Sequence, residues 1–174
     1  GDLVDRNGKL LPMPSGDEVV INSWLADDLA AQGSPVSVGD EISFRSFVPE
    51  TIHGSVTERI YQCRVAGIAA MSGLAKSEDV VPTVKGLTDE ESIADWDPPF
   101  PFERERVRTT APHDEDDQYW KQYGSAPKMF MPLGRAREIA GSRFGKTTAW
   151  HLPSLSQEKL DELAVSLAAA VPPQ

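Results

Sequence analysis

The sequence holds one cysteine, Cys63, among 174 residues. A single cysteine excludes an intramolecular disulfide framework and leaves the redox compartment open. Cys63 alternates with Tyr61 and Val65 in a strand pattern, so a small buried hydrophobe is expected there rather than a reactive thiol. Basic residues are scarce as well: 17 Lys and Arg stand against 27 Asp and Glu, a formal charge of −10. No run of Lys or Arg builds a basic stripe, which argues against a nucleic-acid phosphate backbone as partner. No apolar run approaches the roughly 18–20 residues that cross a bilayer. No secretory leader is recognisable, and the opening GDLVDRNGK lacks an initiator Met, as expected of a mature or excised segment.

Chemical motifs are equally sparse. The histidines, His53, His113 and His151, fall in a loop, an acidic run and a strand, without metal-ligand spacing or HExxH. No GxSxG elbow presents a serine nucleophile. The run His113-Asp114-Glu115-Asp116-Asp117 offers hard oxygen ligands but lacks the spacing and the glycine of a calcium loop. It reads as a solvated acidic loop. Ala140–Thr147 (AGSRFGKT) resembles a phosphate loop, with Ala in place of the first Gly. A working loop of that kind follows a strand and opens a helix. Here a helix pattern precedes it and the strand-like TTAWHLP follows, so Arg143 and Lys146 are expected on a turn that binds no nucleotide. No metal, cofactor or catalytic residue is expected.

What is present is ordinary globular composition, 40% hydrophobic and 25% charged, with fourteen prolines that point to stiff loops. The segment MPSGD is a turn. Val19, Val20 and Ile21 form a continuous β-branched run, the pattern of a central strand. Asn22 or Ser23 is placed to cap a helix over residues 23–32, with Trp24, Leu25 and Leu29 on its apolar side and Gly33 as terminator. Gly39 turns the chain into a strand in which Ile42 and Phe44 alternate with Ser43 and Arg45. Residues 48–56 read as a loop and 57–68 as the antiparallel partner strand. KMFMPL predicts a further strand, LGRAREIAG a short helix with Ile139 inward and Gly141 at its end, and KTTAWHL another strand. Ser154, followed by Gln157, opens a last helix over 155–170, whose Leu160, Leu163, Ala164 and Leu167 recur at helical spacing and predict packing on the core.

Residues 70–125 differ in character. Prolines and acids are dense, yet Trp96, Phe100, Phe102, Tyr119, Trp120 and Tyr123 lie among them. Disordered segments are poorer in aromatics, and a structureless connection of this length is unusual in a compact domain. Short helices are expected near Glu90–Ala94 and Asp117–Gln122. The fold class expected is therefore α+β: a core of residues 1–69 and 126–174 with a mixed sheet and packed helices, and an inserted second lobe at 70–125. Asp95, Trp96, Asp97, Phe100, Phe102 and Trp120 form its candidate interaction surface, because rigid aromatics with an acidic rim suit an interface.

The stretches VVINSWLADDL (19–29), VGDEISF (38–44) and YQCRVAGI (61–68) resemble, in order, the frame of the extracytoplasmic domain of FtsX/MacB-type ABC transporter permeases. KMFMPLGRAREIAGSRFGKTTAWHL resembles that family's return strand, helix and strand. ADWDPPFP and SRFGK resemble features of a divergent branch. The resemblance covers about two thirds of the chain. It implies a MacB-like periplasmic core domain between the first two transmembrane helices of a longer polypeptide, without catalytic residues of its own. Its implied partners are those transmembrane helices, a separate ATPase subunit or domain, and an accessory protein or exported substrate. Both chain ends would then lie close together on one face.

Two other classes fit the composition. A secreted or periplasmic carbohydrate- or protein-binding module would use Trp96, Tyr119 and Trp120 as exposed coplanar platforms. A hydrolase would draw a carboxylate pair from Asp95, Asp97 and Glu103.

Overall fold

The computed structural model describes residues 2–48, 57–99, 102–141, 145–147 and 155–170. They form a small α+β domain: β1 (Glu18–Asn22), α1 (Ser23–Ala31), β2 (Glu41–Val48), β3 (Thr57–Ala69), α2 (Glu115–Tyr123), β4 (Met129–Phe130), α3 (Leu133–Ala140) and α4 (Gln157–Ala170). The sheet order is β2-β3-β1-β4. It is mixed: β2 and β4 run antiparallel to β3 and β1 respectively, while β1 and β3 are parallel.

The β-branched run of β1 is continuous because the strand is central and covered on both faces. Val19 and Ile21 face a core with Ala26, Cys63 and Val65. Val20 faces the opposite core with Leu3, Ala69 and Ala75. On the first face lies α1. On the second lie the N-terminal segment, closed by a bridge between Val4 and Leu10, and the 3-10 turn Gly73–Lys76. Burying the three β1 side chains stabilises the fold by about 1.5–3 kcal/mol each.

Local chemistry sets the element ends. The Asn22 side chain accepts from the Leu25 amide at 2.8 Å and caps α1. At the other end the amides of Gly33 and Ser34 donate to the carbonyls of Ala30 and Leu29, which satisfies the last turn. The following turn depends on Gly39, whose φ of +98° is open to glycine and strained for other residues. The Asp40 carboxylate accepts from the Ser37 amide at 2.8 Å, and Gly39 donates to the Val65 carbonyl. The VGD segment is thereby sewn to β3 at the point where β2 begins. From there β2 and β3 form the expected hairpin, in unbroken register from Glu41 opposite Arg64 to Val48 opposite Thr57. Its loop lies outside the described residues.

Three expectations need comment. Ile139 is buried and Gly141 ends α3, as the spacing predicts. The strand expected at KTTAWHL falls largely outside the described residues, as do Gly1 and 171–174, so the spacing of the chain ends does too. The packing expected of residues 155–170 is not found among the described residues. Every α4 residue is exposed except half-buried Leu163, and Leu167 is 59% exposed. Helical periodicity shows that α4 has an apolar side but not what that side meets, and both sheet faces are already covered.

Candidate functional site

The chemistry-bearing side chains converge where the C-terminal end of β1 meets the segment 70–125. Asn22 is fully buried. Besides capping α1, its amide nitrogen donates to the Tyr119 hydroxyl at 3.0 Å and to the Pro127 carbonyl at 3.2 Å. Tyr119 in turn donates to the Ala126 carbonyl at 2.9 Å. Burial pushes the Tyr119 phenol up to about 12, so it stays a neutral donor at ordinary pH. The Tyr119 ring meets Trp24 with centroids 4.6 Å apart. The Lys128 ammonium sits over both rings, 4.3 Å from Trp24 and 4.7 Å from Tyr119.

Beside this cluster runs an ion network that joins α1, α2 and Lys128, the residue before β4. Arg108 grips Asp28 with two parallel bonds of 2.8 Å and reaches both Asp116 oxygens at 3.1 Å. Its backbone amide also donates to Asp116. Lys128 completes the network at 2.9 Å from Asp116. Two-pronged Arg–carboxylate pairing of this kind fixes geometry as well as charge. Burial pushes the Asp116 carboxyl upward, but the bonds from Arg108 and Lys128 outweigh it and hold the carboxyl down at about 2. The bonds to Asp28, and then to Asp116, push the Arg108 guanidinium upward.

Above the network opens a pocket of about 400 Å³. Its walls are apolar, formed by Val81, Leu87, Ile93, Trp96, Val107 and Trp120. Trp96 and Trp120 meet edge to face at 4.7 Å and 80°, and Phe102 packs on Trp96 at 5.4 Å. Two links hold the Trp96 loop in place. Arg104 donates to the carbonyls of Ala94 and Trp96. Asp97 donates its amide to Gly86 at 2.7 Å. At Gly86, with φ +76°, a Cβ would lie 2.2 Å from the Asp97 carbonyl oxygen, so only glycine permits that closure.

The polar groups on the pocket wall can be accounted for one by one. Trp120 Nε1 donates to the Glu90 carbonyl at 2.9 Å. Ser125 is bonded to Glu78. Asp116, Tyr119 and Lys128 are satisfied as described. Trp96 Nε1 is buried and has no acceptor among the described residues. A buried donor left without a partner costs about 1–3 kcal/mol.

The structure thus brings Trp96, Phe102 and Trp120 together, all half-buried, while Asp95 and Asp97 are exposed on the rim. Phe100 lies outside the described residues. Of the carboxylates considered for acid–base work, Glu103 pairs with Arg106. The helix expected near Glu90–Ala94 is a single 3-10 turn at Ile93–Asp95, and that near Asp117–Gln122 is α2. The acidic run at 113–117 is corrected: it is not a solvated loop. Its carboxylates form the first turn of α2, where they complement the helix dipole, and Asp116 and Asp117 are bonded inward to Arg108 and Lys128, and to Lys121 and Ser92. Cys63 is 4% exposed and burial pushes its thiol up, consistent with a core residue. Among the described residues no group of three His, Cys, Asp or Glu side chains is placed to hold a metal ion. Nor is any helix among them long and apolar enough to cross a membrane. Sequence reading missed Asn22 as a two-sided linker and Arg108 as a bridge. The one available signal was an Asn, rather than Ser or Thr, at the helix cap, since its amide can donate and accept together.

No family model matches the chain, and no curated protein or solved structure matches it.

Proposed function

We propose that this chain is the extracytoplasmic, MacB-like core domain of an FtsX/MacB-type ABC transporter permease, with no catalytic residue of its own. The observation that carries the reading is the ordered set of motifs resembling that family, together with the positions these residues occupy. VVIN forms the central strand and the cap of α1. VGD forms the stitched turn before β2, and RVAGI forms the end of β3 paired with β1. Residues that share one folding frame are expected to recur together for structural reasons, which strengthens the likeness beyond any single short motif.

In this reading ATP is hydrolysed by a separate subunit or domain. The present chain moves with the transmembrane helices of its own polypeptide and meets an accessory protein or exported substrate. The insertion, with its aromatic pocket, is the surface for that meeting. The edge-to-face geometry of Trp96 and Trp120 does not favour a flat sugar-stacking platform. Co-purification of the intact gene product from membranes tests the reading. Recovery with an ATPase subunit is expected, and a stable, soluble full-length product without membrane helices would overturn it.

A further inference from the structure

We propose that Asn7 is a site of spontaneous covalent modification, where cyclisation onto Gly8 converts the side chain to aspartate and isoaspartate. The chain has two asparagines, Asn7 and Asn22, and the fold treats them oppositely. Asn22 is fully buried and is followed by Ser23, and its side chain is committed to Tyr119, Pro127 and Leu25. Asn7 is exposed and precedes exposed Gly8, on the turn closed by the bridge between Val4 and Leu10. The reaction needs the Gly8 amide nitrogen to attack the Asn7 side-chain carbonyl carbon. Glycine carries no Cβ to obstruct that approach, and at φ +80° the space where one would stand is open among the described residues. The new C–N bond closes a succinimide, the Gly8 N–H proton passes to solvent, and ammonia leaves. Water then breaks one of the two ring C–N bonds. Breaking the new bond gives aspartate. Breaking the original peptide bond gives isoaspartate, with the main chain running through Cβ.

In the closed turn the attacking nitrogen is engaged, since the Gly8 amide donates to the Asp5 carbonyl at 3.0 Å. The Asp5 carboxylate holds the same turn by accepting from the amides of Asn7 and Lys9 at 2.8 and 2.9 Å. Those two bonds are exposed, and exposed turns open locally at little cost. Asp5 therefore slows the reaction without forbidding it. The product matters because Arg6, inside the turn, reaches Asp27 and the Ser23 carbonyl of α1. On either side of the turn, Leu3 and Leu11 cover the second sheet face. Isoaspartate lengthens the backbone of the turn and loosens that cover.

The test is to incubate the 174-residue chain at mildly alkaline pH and follow it by peptide mass spectrometry. The mass increment of amide-to-acid conversion is expected to accumulate on the peptide that holds Asn7, while the peptide that holds Asn22 stays unchanged. A protease that cuts at aspartate and not at isoaspartate resolves the two products. Asn7→Gln, whose longer side chain would have to close a larger ring, is expected to lose the increment. Asp5→Ala releases the turn and is expected to speed conversion. The isoaspartate form is expected to melt at a lower temperature than the fresh chain, whereas Asn7→Asp, which keeps the backbone, melts with the fresh chain. An intact amide at Asn7 over a period in which a free peptide of residues 4–10 converts would overturn the proposal. So would a conversion rate that Asp5→Ala leaves unchanged or lowers, or an isoaspartate form that melts with the fresh chain.

Discussion

Asn22 and Asp116 carry more of the structure than their neighbours. Asn22 spends its oxygen on the cap of α1 and its nitrogen on Tyr119 and Pro127. Asn22→Ala removes both functions. The lost cap costs about 0.5–2 kcal/mol and the orphaned partners about 1–3 more. A loss of roughly 2–4 kcal/mol in denaturant unfolding is therefore expected, and Asn22→Asp, which keeps the cap but sets a buried carboxylate oxygen against the Pro127 carbonyl, should lose at least as much. Asp116 predicts a pH effect of definite sign. Its folded carboxyl lies below the ordinary 3.8, at about 2. The stability it contributes is full above about pH 4 and is lost as pH falls through about 2. It amounts to about 2 kcal/mol. Unfolding measured from pH 5 down to 2 should show a steep acid limb in wild type. Asp116→Asn should flatten that limb, and equal slopes would refute the assignment. Neither role is readable from local sequence. Arg108 and Asp28 are 80 residues apart, and a carboxylate in an acidic run looks solvated until its partner is known.

At the scale of elements, legibility follows the range of the forces involved. The frame β1–α1–β2–β3 is readable because a β-branched run, a cap, a turn glycine and alternation are local signals. The N-terminal cover is not, since Leu3 and Leu11 reach the second sheet face through a bridged turn that has no period. The pocket is half-readable: the aromatics announce an anchored insertion, but the edge-to-face meeting of Trp96 with Trp120 depends on the Gly86–Asp97 closure. Helix α4 marks the opposite limit, a clear apolar period that finds no partner among the described residues. Surface elements of this kind contribute little to stability. Deleting residues 155–174 is therefore expected to leave the unfolding free energy of the remainder within about 0.5 kcal/mol of the full chain. A loss of several kcal/mol would show that α4 packs after all.

At the scale of the whole molecule, the segment 70–125 of an acidic α+β domain is pinned to the first helix through Arg108 and Asp28. A polar bridge from Asp28 through Arg108 to Asp116 ties the frame to the pocket, so a ligand or partner at the insertion would act on a rigid unit rather than on a loose loop. Under the proposed permease reading, that bridge would pass strain from a contact at residues 70–125 to the attached helices. The most direct measurement is the sidedness of the intact gene product. Cys63 is buried, so a cysteine at exposed Lys9 gives a handle for a membrane-impermeant thiol reagent, read against the same product without the substitution. The account predicts that Lys9→Cys in the membrane-bound product is labelled in intact spheroplasts, before lysis. Labelling only after the membrane is broken, with the protein otherwise intact, would contradict it.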